Sequence, residues 1–121
     1  MKGLLIFAYM ESTRQKKVSR LIQKELSLIF QKLAPQLLGN VMISVTIVRI
    51  SPNLANAKVY LSIFPSEEPE IALNKITIQK TLIRKRLGER IKNQLRIVPE
   101  LIYYLDDSSA YAEEINELLK K

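Results

Sequence analysis

Residues 41–64 read VMISVTIVRISPNLANAKVYLSIF, and the fold is decided there. Residues 41–50 are crowded with β-branched side chains, which suit the half-buried surface of a strand. From Lys58 to Phe64 the pattern alternates. Val59, Leu61 and Ile63 fall on one face, and Lys58, Tyr60 and Ser62 on the other. Between the two runs, Ser51-Pro52-Asn53-Leu54-Ala55-Asn56 is turn chemistry, with Pro52 and Asn53 at the corner. The stretch predicts an antiparallel hairpin.

Upstream, Val18, Ile22, Leu26, Ile29 and Leu33 recur at three- and four-residue spacing and mark a helix over residues 12–33. Ser12 followed by Gln15 is a capping box, and Pro35 and Gly39 are expected to end the helix. Downstream, Pro65-Ser66-Glu67-Glu68-Pro69 is a loop, and residues 70–97 read as helical with no internal proline. Such a length in a small domain predicts a bend or break, for which Gly88 is one candidate hinge. Pro99 stops the segment, Leu101 to Leu105 suits a third strand, and Ala110 to Leu119 a short acidic final helix. The expected class is α+β, with the helices packed on one face of a three-stranded sheet. Residues 1–11 read as an N-terminal extension and residues 12–121 as one domain. The apolar run Leu4 to Tyr9 is too short to span a bilayer, and Met10 begins a more usual opening.

Composition narrows the chemistry. The chain has no cysteine and no histidine, which removes disulfides, thiolate chemistry, the commonest metal ligand and the usual general base near neutral pH. Its three glycines are too dispersed for a phosphate-cradling loop. Asp106-Asp107 and Ser108-Ser109 stand before the final helix and read as caps, since neighbouring strand residues point to opposite faces and no histidine is present to activate a serine. Glu67-Glu68 reads as a solvated loop. The sequence therefore predicts no enzyme, no metal, no cofactor and no membrane partner, in a cytoplasmic monomer.

Nineteen basic against twelve acidic residues give a net charge of +7, and its placement matters more than its size. Residues 14–32 hold six bases and one acid, residues 75–96 hold eight and one, and residues 100–121 reverse the balance with six acids against two lysines. Solvated helix faces usually mix signs, so two such runs point to a phosphate-rich partner. At about 100° per residue, Lys16, Arg20 and Lys24 line up opposite the apolar stripe of the first helix. In the later segment Ile83, Leu87, Ile91 and Leu95 form the buried side. Lys85, Lys92 and Arg96 lie opposite, and Arg86 and Arg90 on a flank. Tyr60, Tyr103 and Tyr104 lie on strands. They could stack bases or pack in the core, but Tyr103 and Tyr104 cannot share a face.

The stretch Arg96-Ile97-Val98-Pro99-Glu100-Leu101, followed by Tyr103, Tyr104 and Asp106-Asp107-Ser108, resembles the ribosome-binding factor A family. So do Ser51-Pro52-Asn53-Leu54 leading into Ala57-Lys58-Val59-Tyr60, the opening helix with Arg14, Val18, Ile22 and Glu25-Leu26, and Ile83-Arg84 leading to Leu87. The resemblance covers about residues 12–119. It implies a type II KH-like fold, helix-strand-strand-helix-helix-strand. Its two central helices meet at an Ala-x-Gly kink, where this sequence has Gln79-Lys80-Thr81. It also implies binding to the 30S ribosomal subunit and its 16S rRNA near the neck and decoding region. The implied role is late small-subunit maturation, with support of 5′-end processing of the rRNA and of growth in the cold.

The RNA-binding residues expected from charge and spacing are Lys16, Arg20, Lys24, Lys80, Arg84, Lys85, Arg86, Arg90, Lys92 and Arg96. Arg84 lies near the apolar stripe, where packing competes with RNA contact. The alternatives are a generic KH-type binder of single-stranded RNA and a protein-interaction module for an acidic partner. The first would prefer short unpaired oligonucleotides to intact subunits, and the second would keep its partner after nuclease treatment.

Overall fold

A computed structural model describes residues 11–106. Residues 1–10 of the expected extension, the caps at Asp107, Ser108 and Ser109, and the final helix lie outside the described residues. Elements follow in the order α1 (Thr13–Leu38), β1 (Met42–Ile50), β2 (Asn56–Phe64), α2 (Pro69–Ile78), α3 (Lys80–Ile91) and β3 (Glu100–Leu105).

The expected capping box opens α1. Ser12 Oγ accepts from the Gln15 backbone N–H at 3.1 Å, and Gln15 Oε1 accepts from the Ser12 N–H at 2.8 Å. Gln15 is buried and its Nε2 donates to the Ile50 carbonyl at 2.9 Å, so the cap also ties α1 to β1. Glu11, the last residue of the expected extension, is tied to β1 and α1. Its carboxylate accepts the Ile50 N–H at 3.1 Å and lies 3.4 Å from Ser19 Oγ. The helix does not stop before Pro35 but runs through it to Leu38, with Gly39 as its C-cap at φ 78°. Pro35 is exposed in the last turn, where its missing N–H costs one hydrogen bond, and Leu37 and Leu38 pack on the core beyond it.

The hairpin forms as expected, β1 antiparallel to β2, while β3 pairs parallel to β2 on its other side. In the turn, Asn53 Oδ1 accepts from Ser51 Oγ at 2.7 Å and from the Ala55 N–H at 3.1 Å. Leu54 takes a left-handed φ of 60°. A bulge interrupts β1: Val45 faces Leu61 and Ile47 faces Tyr60, leaving Thr46 as the extra residue. The inward set therefore changes from Ile43 and Val45 to Val48 and Ile50. Gln23 of α1 holds the bulge, its Nε2 donating to the Val45 and Thr46 carbonyls at 3.1 and 3.2 Å.

The core lies between the inner sheet face and the helices. Ile22, Leu26, Phe30, Val59, Leu61, Ile76, Ile83, Leu87 and Ile91 are buried in it. Tyr103 points inward, edge-on to Phe30 at 6.1 Å, whereas Tyr104 points outward and stacks on Tyr60 at 5.4 Å. The opposite facing of these two tyrosines follows from strand pleating.

The long segment breaks at Gln79 and not at Gly88. Gln79 adopts φ −91° and ψ 14°, and its N–H turns back to the Ile76 carbonyl at 2.9 Å. Gly88 sits inside α3, where a Cβ would come 3.1 Å from Val98 Cγ2, so it is the seat of the Val98 side chain. Helix α3 ends at Ile91 rather than at Ile97. Lys92 and Arg96 therefore lie on the turn and loop that follow, and Leu95 is half-buried there. The parallel pairing requires this ending, because the chain must carry Glu100 back beside Asn56, where β2 begins.

Candidate nucleic-acid interface

Helices α1 and α3 pack side by side on the same face of the sheet, and one ion pair joins them. Arg90 Nε donates to Glu25 Oε2, with the side chains 37% and 15% exposed. On α1, Lys16, Arg20 and Lys24 are exposed, as their spacing predicts. On α3, Lys80, Arg84, Lys85 and Arg90 are exposed and Arg86 is half-buried. Lys92 and Arg96 are exposed beyond the helix end.

Two of the ten expected residues have fixed partners. Arg90 is paired with Glu25, and Arg84 donates its Nη2–H to the Val98 carbonyl at 2.7 Å. The Arg84 bond holds the loop leading into β3, in line with the packing role that its position suggested. Among the described residues the other eight form no side-chain hydrogen bond or ion pair, and their charges are open to a partner.

The bases on α3 divide between two grooves. Lys80, Thr81, Arg84 and Lys85 face Val98, Glu100 and Leu101 across a depression of about 500 Å³. Arg86, Glu89 and Arg90 line a second groove of about 370 Å³ with Leu28, Ile29 and Lys32 of α1, three bases against one acid. Sequence reasoning left Lys32 out of the expected site. The signal was available, because Lys32 lies seven residues from Glu25 and so on the same side of the helix, toward α3. Helix α1 is thus lined with bases on its outer surface and at its seam with α3. This arrangement can grip phosphates at several fixed points, and the rigid sheet beneath sets their separation.

At the Gln79 break the exposed side chains are Ile78 and Lys80. Among the described residues no cluster of metal-ligating side chains occurs, and no helix is long and apolar enough to cross a membrane.

Residues 14–119 match the sequence profile of the family described as Ribosome-binding factor A. The chain belongs to the ribosome-binding factor A family. It is 51% identical over 112 residues to ribosome-binding factor A of Cytophaga hutchinsonii, covering 93% of this chain and 84% of that protein. With the Flavobacterium johnsoniae protein of the same name it shares 42% over 111 residues, 91% of this chain and 85% of that one. The crystal structure of ribosome-binding factor A from Thermus thermophilus superposes with a TM-score of 0.62 at 23% identity, over 75% of this chain and 94% of that one. This second likeness is one of fold, and the fold is the α+β, KH-like one that the resemblance implied. A Thermus thermophilus ribosome-binding factor A homology model, fitted into a cryo-EM map of a complex with the 30S subunit, matches at 25% identity and a TM-score of 0.59, over 73% of this chain and 90% of that one.

Proposed function

We propose that this protein binds the free small ribosomal subunit and acts in its late maturation, docking on 16S rRNA near the neck and decoding region and supporting 5′-end processing. It acts as a binding factor without catalysis of its own, as a monomer in the cytoplasm. The observation that carries this reading is the set of open bases on α1, α3 and the following loop, in a chain whose Thermus relative is described in complex with the 30S subunit. Lys16, Arg20, Lys24, Lys80, Lys85, Arg86, Lys92 and Arg96 make the phosphate contacts. Arg84 and Arg90 share that role with their ties inside the protein. Binding favours one rRNA arrangement over another, since a ligand shifts an equilibrium only by its differential affinity.

Sedimentation with purified small subunits, large subunits and whole ribosomes tests the proposal. The expected result is co-sedimentation with free small subunits only. Equal recovery with large subunits, or preference for a short unpaired oligonucleotide, would contradict it.

A further inference from the structure

The connection from α3 to β3 is anchored at both ends and once between. At the α3 end the N–H groups of Gln94 and Leu95 donate to the Ile91 carbonyl at 2.8 and 2.9 Å, and the Leu95 side chain packs on the core. At the β3 end Pro99 is fully buried, and the Glu100 N–H donates to the Ala55 carbonyl at 2.8 Å. Residues 96–98 lie between these anchors. Among the described residues they take part in a single hydrogen bond, from Arg84 Nη2 to the Val98 carbonyl at 2.7 Å. The Val98 side chain seats over Gly88, one turn beyond Arg84 on α3. Arg96 and Ile97, on the span that this bond closes, are exposed, Ile97 by 72%.

We infer that Arg84 is a positioning residue for rRNA binding: through the Val98 carbonyl it holds Arg96 out as a preformed phosphate contact. The inference rests on the ribosomal reading above and deepens it. A cation on a loose loop must lose backbone freedom when it meets a phosphate, and that loss weakens binding. With Leu95 anchored on one side of Arg96 and Val98 on the other, the freedom is already gone in the unbound protein. Arginine suits the task. Its charge strengthens the bond to the carbonyl, and its planar fork fixes the direction in which that bond points. A lysine would keep the charge at position 84 on a shorter reach and without the fork.

The effect is confined to the residues beyond Leu95. Lys92 is the C-cap of α3, with helical backbone angles, so the helix places it and Arg84 does not. Arg84 and Arg96 are therefore expected to be coupled in binding, and Arg84 and Lys92 to be independent.

Equilibrium binding of the full chain to purified free small subunits separates this role from a direct phosphate contact. Arg84→Lys preserves the charge, so a residue that merely touched a phosphate would lose little. The expected result is a loss of about fivefold in affinity, which is what ordering one freed residue takes away. The loss should vanish in an Arg96→Ala background and persist in a Lys92→Ala background. On the free chain, amide relaxation should give Arg96 and Ile97 order parameters of about 0.85, falling below about 0.6 in Arg84→Lys. Val59 on β2 should stay rigid in both, which reports that the variant is folded. Undiminished binding by Arg84→Lys, an equal loss in the Arg96→Ala background, or Arg96 and Ile97 already mobile in the natural chain would each overturn this proposal and leave the ribosomal reading standing. Failure of the natural chain to bind small subunits would overturn both.

Discussion

Arg90 on α3 donates its Nε–H to the carboxylate of Glu25 on α1, and this pair connects the two helices that carry the bases. A partly exposed pair of this kind contributes about 0.2–1 kcal/mol. Its larger effect is on the charge available to RNA, because Arg90 is already neutralised whereas Lys85 on the same helix is not.

Arg90→Ala should therefore weaken small-subunit binding less than Lys85→Ala, with a stability loss of at most about 1 kcal/mol for Arg90→Ala. Parallel binding and urea-unfolding curves for the two variants check this. A greater binding loss from Arg90→Ala would place Arg90 among the main contacts.

Tyr103 sets a second expectation. Its ring is buried edge-on to Phe30, and among the described residues its hydroxyl has no hydrogen-bond partner. Burial without compensation pushes the phenol well above its ordinary value. An unpaired buried polar group costs about 1–3 kcal/mol. Tyr103→Phe keeps the ring and removes the hydroxyl, so it should raise the thermal midpoint. The gain should widen in alkali. Above about pH 10 the unfolded chain releases the phenolic proton while the folded chain keeps it, and stability falls by about 1.4 kcal/mol per pH unit from this group. Unfolding curves of both proteins between pH 8 and about pH 11 measure the difference, which the phenylalanine variant lacks. A destabilised variant would show that the hydroxyl has a partner.

Gly88 and Val98 are coupled. A helix-interior glycine normally gives up about 1 kcal/mol relative to alanine, so Gly88→Ala would ordinarily stabilise α3. Here the new methyl would press on Val98 at 3.1 Å, and Val98 is held by the Arg84 bond to its carbonyl and by Pro99 after it. The substitution should be neutral or destabilising alone and stabilising in a Val98→Ala background. A double-mutant cycle in urea should give a coupling of about 1 kcal/mol. Equal effects in both backgrounds would show that Val98 moves aside freely.

The features legible in the sequence are those set by neighbours along the chain. Ser12 and Gln15 lie three residues apart, and their capping box formed as read. The alternation from Val59 to Ile63, the hairpin and the exposure of Lys16, Arg20 and Lys24 followed from periodicity alone. What escaped was decided from a distance. Nothing in ISVTIVRI marks Thr46 as a bulge, because every residue there suits a strand and the decision rests with Gln23 on another element. Lys92 to Gln94 have ordinary helix propensity, and α3 stops only because β3 must begin beside Asn56. The partners of Arg84 and Arg90 lie fourteen and sixty-five residues away, beyond the reach of any local pattern.

The central claim is that the bases of α1 and of α3 engage ribosomal phosphates together. The most direct measurement is the salt dependence of small-subunit binding for the natural chain, for Lys16→Ala/Arg20→Ala/Lys24→Ala, for Lys80→Ala/Lys85→Ala, and for all five changes combined. The account predicts a steep log–log slope for the natural chain that falls by about 0.7–0.9 for each contact removed, with the two sets of changes additive. Binding indifferent to salt, or slopes that stay the same in both partial variants, would contradict it.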